Sequence, residues 1–466
     1  MISRIPETVK DAYGTSYRLT KELSRGGQGV VYRTTIPDIL VKLDFNGSEE
    51  SGSHYMNLRL LPLPEGLHVT LPIVPLKGKQ TGYIMRLLED MVSFGQTFCK
   101  HDEKEILAGS LSDTPWIRNF FSPGQENLKG YGLVFGTLIL NGGLRRIYKA
   151  YMEAAKILAH LHTAGLVYCD FSPNNVFISN DFSHSNVWLI DADNVGFTED
   201  LNAFIFTPSY GAPEVQRREY PCSIWADTFA FASAFFQQVT QCHPFQGALY
   251  EECLDDGEDL EEVEEKRNFG EFPYILDGDN DSNYREGACC DCLFPKNLLT
   301  LFQRTFGVGR NKRKLRPLMS EWAAQLAYAL DGLAHCSNCG MDYFSEEPGK
   351  CSFCDSEHAI CHVVSRLSNG YELWRVVREI RSGEAVSIPS RIAHGFRVDD
   401  RDEDIAFTLT IDGQKNIQFE KKSFAIEYTT PGGQNVTRYK ARGSMHLQAS
   451  CQETGIHTDV LIEIKE

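Results

Sequence analysis

The chain has 466 residues, 42% apolar and 23% charged, which is ordinary for folded protein but more than one hydrophobic core usually supports, so two or three domains are expected. Its formal charge of −17 argues against nucleic acid as a partner, because that affinity comes from neutralising phosphates with Lys and Arg. No run reaches the roughly 18 apolar residues of a membrane span, and Met1 to Lys21 lacks the charged-then-apolar pattern of an export signal. A cytoplasmic protein without membrane partners is expected, its 14 cysteines kept as thiols or metal ligands.

From Ser16 to Leu43 apolar and polar residues alternate around a glycine cluster, the pattern of strand, tight turn and strand. In LSRGGQGVVY, Gly26 and Gly29 would let backbone amides approach phosphate oxygens with no Cβ in the way, although a glycine hairpin is more often only a turn. Ten residues after Tyr32, ILVKL carries one cation, Lys42, which either snorkels to solvent or pairs with phosphates held by that hairpin. Leu144, Ile147, Tyr148, Tyr151, Ala154, Ala155, Leu158 and Leu161 recur at helical spacing before a stop at Gly165. Short strands are expected at 175–178 and 186–190, and helices at 225–239, 298–306 and 319–330. The run EECLDDGEDLEEVEE, Glu251 to Glu265, reads as a solvated acidic segment.

Two further strings carry chemistry. YCDFSPNNVFI places Asp170 and Asn175 five apart in a loop between apolar runs, and WLIDADN ends a strand in Asp191 with Asp193 two residues on. Phosphoryl transfer needs a carboxylate to orient the attacking hydroxyl and oxygen ligands for Mg2+. Taken singly, each acid has a plainer reading as a turn residue; their order and spacing make the set meaningful.

Residues 17 to about 330 resemble the eukaryotic-like, Hanks-type protein kinases. RGGQG resembles the glycine-rich loop, Val41-Lys42 the strand lysine, YCDFSPNN the catalytic loop usually written HRDxxxxN, and DAD at Asp191 stands where DFG would. TPSYGAPE, Thr207 to Glu214, resembles the end of an activation segment and is the most specific string. Asp227 takes the place of the buried helix aspartate, His243 begins a similar HPF turn, and Arg316 resembles the late arginine that pairs with the APE glutamate. The resemblance implies ATP and Mg2+ as cofactors and a protein substrate. It makes Asp170 the catalytic base, Asn175 and Asp191 the magnesium ligands, and Lys42 the phosphate-pairing cation. Gly26, Gly27 and Gly29 would cover the phosphates, with Val31 beside the nucleotide, Met85 at the gate of the adenine pocket and Arg86 to Leu88 as the hinge. Glu214 and Arg316 are expected to form a buried ion pair.

The departures are informative. Ser24 replaces the first loop glycine, Ser172 stands where a lysine usually contacts the γ-phosphate, and Cys169 replaces the arginine that senses a phosphorylated activation loop. Activity is therefore not expected to require phosphate on Thr198, Thr207 or Ser209. DAD lacks the usual Phe and Gly and leaves Asp193 as an additional nucleotide-site ligand. No glutamate is well placed to pair with Lys42: Glu50 is one helical turn early and His54 falls nearer the position.

Independently of the kinase strings, CSNCG and CSFC set Cys336, Cys339, Cys351 and Cys354 as two knuckles eleven residues apart, the spacing of a closed tetrahedral zinc site. His335 and Cys361 are nearby alternatives, and the segment is too short to bury a core, so the metal should supply its folding energy. Cys289, Cys290 and Cys292 read as structural, and RNKRKLR, Arg310 to Arg316, as a solvated loop entering a helix.

The fold expected is α+β: a bilobal kinase-like domain over 1–332 (N-lobe about 1–88, C-lobe about 89–332), a zinc ribbon over 333–357, and a β-rich sandwich or barrel-like domain over 358–466. The function expected is ATP-dependent serine/threonine protein phosphorylation, with the C-terminal modules recruiting or regulating through a partner protein. Two other classes compete: a nucleotide-binding scaffold without turnover, favoured by Ser172, Cys169 and DAD, and a small-molecule phosphotransferase, disfavoured by TPSYGAPE.

Overall fold

The computed structural model describes residues 6–45, 49–109, 115–182, 186–285, 290–344, 350–381, 383–401 and 403–465; Cys289 lies outside them. Six strands form the N-terminal part: β1 (Thr8–Asp11), β2 (Ser16–Arg25), β3 (Gly29–Thr34), β4 (Ile39–Asp44), β5 (Val74–Lys77) and β6 (Gly82–Arg86). They run in the order β1-β2-β3-β4-β6-β5, and pairing of β1 with β5 closes a barrel. Period-two alternation gives β4 two faces. Val41 and Leu43 fill the barrel with Val30, Tyr32 and Ile84, while Leu40 packs outward with Tyr83 and Met85 on Tyr55 and Leu58 of helix α1 (Glu49–Leu58). Lys42 shares the face of Leu40, so the strand itself aims it away from the barrel interior.

The helical part is built on α2 (Lys129–Leu140), α3 (Gly143–Thr163), α4 (Ile224–Thr240) and α5 (Met319–Gly332). The apolar series of α3 expected from the sequence is buried throughout. Ser223 caps α4 by accepting the Ala226 N–H, and Gln241 ends it in the left-handed region at φ 57°. Phe231 and Phe235 of α4 pack on Tyr151 of α3, with ring centroids 5.4 and 4.8 Å apart, and on Trp322 of α5. The helix expected over 298–306 is α-helical only to Phe302 and continues as a π-helix, Gln303–Val308. The acidic run is not merely a solvated segment: it contributes to helices Ala248–Asp255 and Leu260–Asn268, the latter burying Val263 and Arg267. No helix among the described residues is long and apolar enough to cross a membrane.

Glu214 and Arg316 meet as a bidentate pair at 2.7 and 2.8 Å, and Arg316 also donates to the carbonyls of Gly309 and Trp225. Both side chains are buried. Glu214→Ala leaves a guanidinium without its counter-charge, so unfolding in urea should show a loss of about 3–5 kcal/mol. A variant with wild-type stability would mean that the two backbone carbonyls alone satisfy Arg316.

α5 runs directly into a short hairpin, Leu333–His335 with Asp342–Phe344, and then into two sheets. One has five strands, with Ile360–Arg366, Glu372–Glu379, Ile426–Thr429, Ser444–Cys451 and His457–Lys465; the other has four, with Ala385–Pro389, Ile405–Ile411, Asn416–Lys421 and Arg438–Arg442. Phe407 and Phe419 of the second sheet pack on Tyr428 of the first. Buried Asp331, at the end of α5, accepts from Trp374, Arg378 and Arg391 of the β-rich part. Burial opposes its charge, yet Arg391 and Arg378 hold its pKa below the ordinary carboxylate value. One hydrophobic cluster runs without a break from the helical part into both sheets.

Candidate active site and metal centre

Lys42 meets its partners from far along the chain. Its Nζ contacts Asp191 Oδ1 and donates to Asp193 Oδ2 at 2.7 Å, across 149 and 151 positions. Burial opposes the lysine charge, but the two carboxylates outweigh it and raise the Lys42 pKa. Asp191 sits at φ 57°, a left-handed turn that starts the 3-10 segment Ala192–Asn194 and brings Asp193 back toward the same ammonium. Burial and the neighbouring Asp193 charge push the Asp191 pKa up to about 6. The second oxygen of Asp193, Oδ1, is buried without a hydrogen-bond partner.

His54 of α1 places Nε2 2.6 Å from the Asp193 carbonyl, and Tyr55 donates to Asp44 at 2.7 Å. The helix therefore docks on the backbone of DAD. The side chains of Glu49 and Glu50, the two acids of α1, lie outside the described residues; among the described residues the carboxylates that Lys42 meets are Asp191 and Asp193. Asp193, expected only as a further ligand of the nucleotide site, is thus an anchor for the lysine.

The catalytic-loop string adopts its shape through Asp227, whose carboxylate accepts the Tyr168 and Cys169 N–H groups at 2.8 and 2.9 Å and faces His162 Nε2 at 3.0 Å. Those bonds hold Cys169 at φ 77°, unusual for a residue with a Cβ. Asp170 follows, with Oδ1 accepting from Thr207 at 2.8 Å and Oδ2 from Asn175 Nδ2 at 3.2 Å. Burial first, then the Asp191 charge, raise its pKa despite those donors. Asn175 turns its amide nitrogen to Asp170, leaving its amide oxygen for another partner, and its carbonyl accepts the Ile190 N–H at 2.9 Å, which sets the loop beside Asp191. Ser172 is buried, its carbonyl accepting the Asn175 N–H, so no cation stands at that position.

Over this cleft lies the β2–β3 turn. Gly26 and Gly27 have open space where a Cβ would sit, whereas a Cβ at Gly29 would come 2.4 Å from the Leu43 carbonyl oxygen; the first two glycines leave room for a ligand, the third is required by packing. Gln28 reaches Asn194 at 3.5 Å, bridging the turn to the DAD segment. Val31 pairs with Lys42 across β3 and β4. Met85 is buried on the α1 side, Arg86 is exposed, and Leu88 is half-buried just beyond β6.

The four cysteines form a separate cluster whose sulfur atoms all lie within 4.8 Å of one another. Cys336 and Cys354 are 3.6 Å apart, and Cys339 and Cys351 3.7 Å. A tetrahedron of Zn–S bonds of roughly 2.3 Å has edges of about 3.8 Å, so the quartet fits a zinc ion. The two alternatives drop out: His335 faces Asp342 at 3.2 Å, and Cys361 is buried on the strand Ile360–Arg366. His358, which no ligand spacing singled out, lies 3.0 Å from Cys336 Sγ with its other ring nitrogen 3.4 Å from Glu379; it is placed to steady a thiolate from outside the metal shell.

Comparison with known proteins covers the second half of this site. The model of the protein kinase domain matches residues 143–319. The human ribosomal protein S6 kinase alpha-2 is 34% identical over 105 residues, 22% of this chain and 14% of that protein. The mouse ribosomal protein S6 kinase alpha-3 is 32% identical over 107 residues, again 22% and 14%. The zebrafish, Danio rerio, ribosomal protein S6 kinase alpha-6 is 34% identical over 98 residues, 20% and 13%. The match spans about one seventh of these relatives' length. The chain carries a protein kinase domain, with a four-cysteine cluster and β-rich regions beyond it.

Proposed function

We propose that the chain is an ATP-dependent serine/threonine protein kinase. The observation that carries this reading is the convergence of Lys42, Asp191 and Asp193 with Asp170 and Asn175 beneath a glycine turn, from strings scattered over 151 positions. Asn175 and Asp191 would hold Mg2+, which bridges phosphate oxygens and offsets their charge. Asp170, its two oxygens oriented by Thr207 and Asn175, would align the substrate hydroxyl and accept its proton; its raised pKa suits that task. Lys42 would turn to the phosphates, and Gly26, Gly27 and Gly29 would cover them. Val31, Met85, Arg86 and Leu88 would border the adenine. The cysteine quartet would hold Zn2+, and the C-terminal sheets, joined to the helical lobe through Asp331, would regulate or recruit through a rigid attachment. The buried Ser172 favours slow turnover, since the transition-state charge has one cation fewer; a scaffold without turnover is the competing reading.

The test is incubation of the full chain with Mg2+ and γ-labelled ATP beside Asp170→Ala and Asp191→Ala. Label on the chain itself or on a serine/threonine substrate, absent from both variants, is expected. Nucleotide binding without transfer of label would select the scaffold.

Asp193 gives a second prediction. A charge-assisted hydrogen bond is worth about 1.5–3 kcal/mol, so Asp193→Asn should weaken ATP binding roughly ten- to hundredfold, with the Mg2+ concentration dependence unchanged. A steeper Mg2+ requirement with normal ATP affinity at saturating metal would make Asp193 a metal ligand.

A further inference from the structure

Beside the catalytic loop lies a groove of about 410 Å³. Its walls include Pro173 and Asn174 of the loop that carries Asp170, Tyr210 just past the Thr207 that donates to Asp170, and the C-terminal end of α4. A polypeptide presenting a hydroxyl to Asp170 therefore has this groove as a neighbour for its flanking residues.

The chemistry of the lining is one-sided. It is rich in amides, Gln237 and Gln241 among them, and it holds two cations, Lys100 and Arg267, and no carboxylate. That sign is opposite to the balance of the whole chain, which has 63 acidic and 46 basic residues. The two cations differ in role. Arg267 is buried, donates to Ser209 Oγ at 3.3 Å and is partly offset by Glu264 at 3.7 Å, so it shapes the activation-segment wall. Lys100 is exposed. Next to the lining, Arg285 donates through Nη1 to the Gln246 carbonyl at 3.1 Å, and the same nitrogen has Glu251 at 3.8 Å, which partly offsets it. His243, also in the lining, adds no charge, because burial and then Arg267 hold its pKa well below the ordinary value. Gln237 Nε2 donates to the Ser209 carbonyl and Gln241 Nε2 to the Gln238 carbonyl, both at 2.9 Å, which leaves one N–H of each amide to donate to a carboxylate, and cations in a concave site raise the local concentration of anions.

We propose that this groove binds an acidic stretch of the substrate, so that serine or threonine flanked by Asp and Glu is the preferred acceptor. The inference rests on the kinase reading for the acceptor hydroxyl, but the groove's preference can be measured without turnover. A fluorescent peptide with a central serine and Asp/Glu flanks is titrated onto the full chain by anisotropy, beside the same peptide with Lys/Arg flanks. The acidic peptide should bind at least tenfold more tightly, and its affinity should fall as salt rises. Lys100→Glu, at an exposed position where folding is not at stake, should remove most of that difference, and Gln241→Glu should reduce it. Equal binding of the two peptides, tighter binding of the basic one, or an acidic preference untouched by both variants overturns the proposal. Acidic binding without transfer of label would leave the groove standing and remove the transferase reading instead.

Discussion

Asp170→Ala will transfer phosphate about 10²–10⁴ times more slowly than the wild type and bind ATP as well. The expectation follows from what Asp170 touches. Its oxygens are engaged by Thr207 and Asn175 and not by Lys42, so its removal leaves the ion pairs of Lys42 with Asp191 and Asp193 in place. The influences that set the Asp191 pKa, burial and the Asp193 charge opposed by Lys42, lie outside the substitution. Asp170→Asn separates chemistry from architecture. The amide oxygen can still accept from Thr207, so the activation segment keeps its tie to the loop, but the group no longer takes a proton. Single-turnover transfer and calorimetric nucleotide binding, measured on both variants, decide the matter. If Asn restored transfer to the wild-type rate while Ala did not, Asp170 would act by holding Thr207, not as a base.

What could be read beforehand followed the range of the interactions. Gly26 and Gly29, Lys42, the Asp170–Asn175 spacing and DAD are short strings whose residue types are dictated by local geometry, and they were visible as strings. The pairing of Lys42 with Asp193 joins residues 151 positions apart, and nothing in either string announces it. His54 stood near the place where a glutamate was sought, but its target is a backbone carbonyl, which any residue at that position would offer. β1 escaped because four residues, TVKD, show too little alternation; only its pairing with both β2 and β5 makes it a strand. The strand Arg438–Arg442 is weakly marked for a related reason: RYKAR leaves most of its residues exposed and has no apolar face. In the acidic run the charge pattern hid the helix, where Asp259 caps the Glu261 and Glu262 amides and Val263 supplies a buried contact. The four cysteines are the opposite case: ligand type and spacing suffice, and the fold only had to bring the knuckles together.

Cys351→Ser, or removal of metal by a chelator, will disturb the helical lobe as well as the cysteine segment. The segment is too short to bury a core of its own, but its contacts extend beyond the cysteine cluster. Phe353 packs edge-on against Phe135 of α2 at 5.1 Å, Phe344 lies 5.9 Å from Tyr148 of α3, and Trp116 donates to the Cys339 carbonyl at 2.9 Å. Asp342 accepts the Arg145 N–H at 3.0 Å in the first turn of α3, where that amide has no partner within the helix. Structural zinc contributes roughly 10–16 kcal/mol in small peptides, against a whole-domain stability of about 5–15 kcal/mol, so its loss outweighs what these contacts alone can retain. One zinc per chain is expected from metal analysis of the wild type. After metal loss, Trp116 fluorescence should shift toward that of exposed indole, and the amides at the start of α3 and in Leu333–Phe344 should exchange faster. Chelation that strips the zinc yet leaves the exchange of α3 unchanged would show that the knuckles are an appendage held only at their own base.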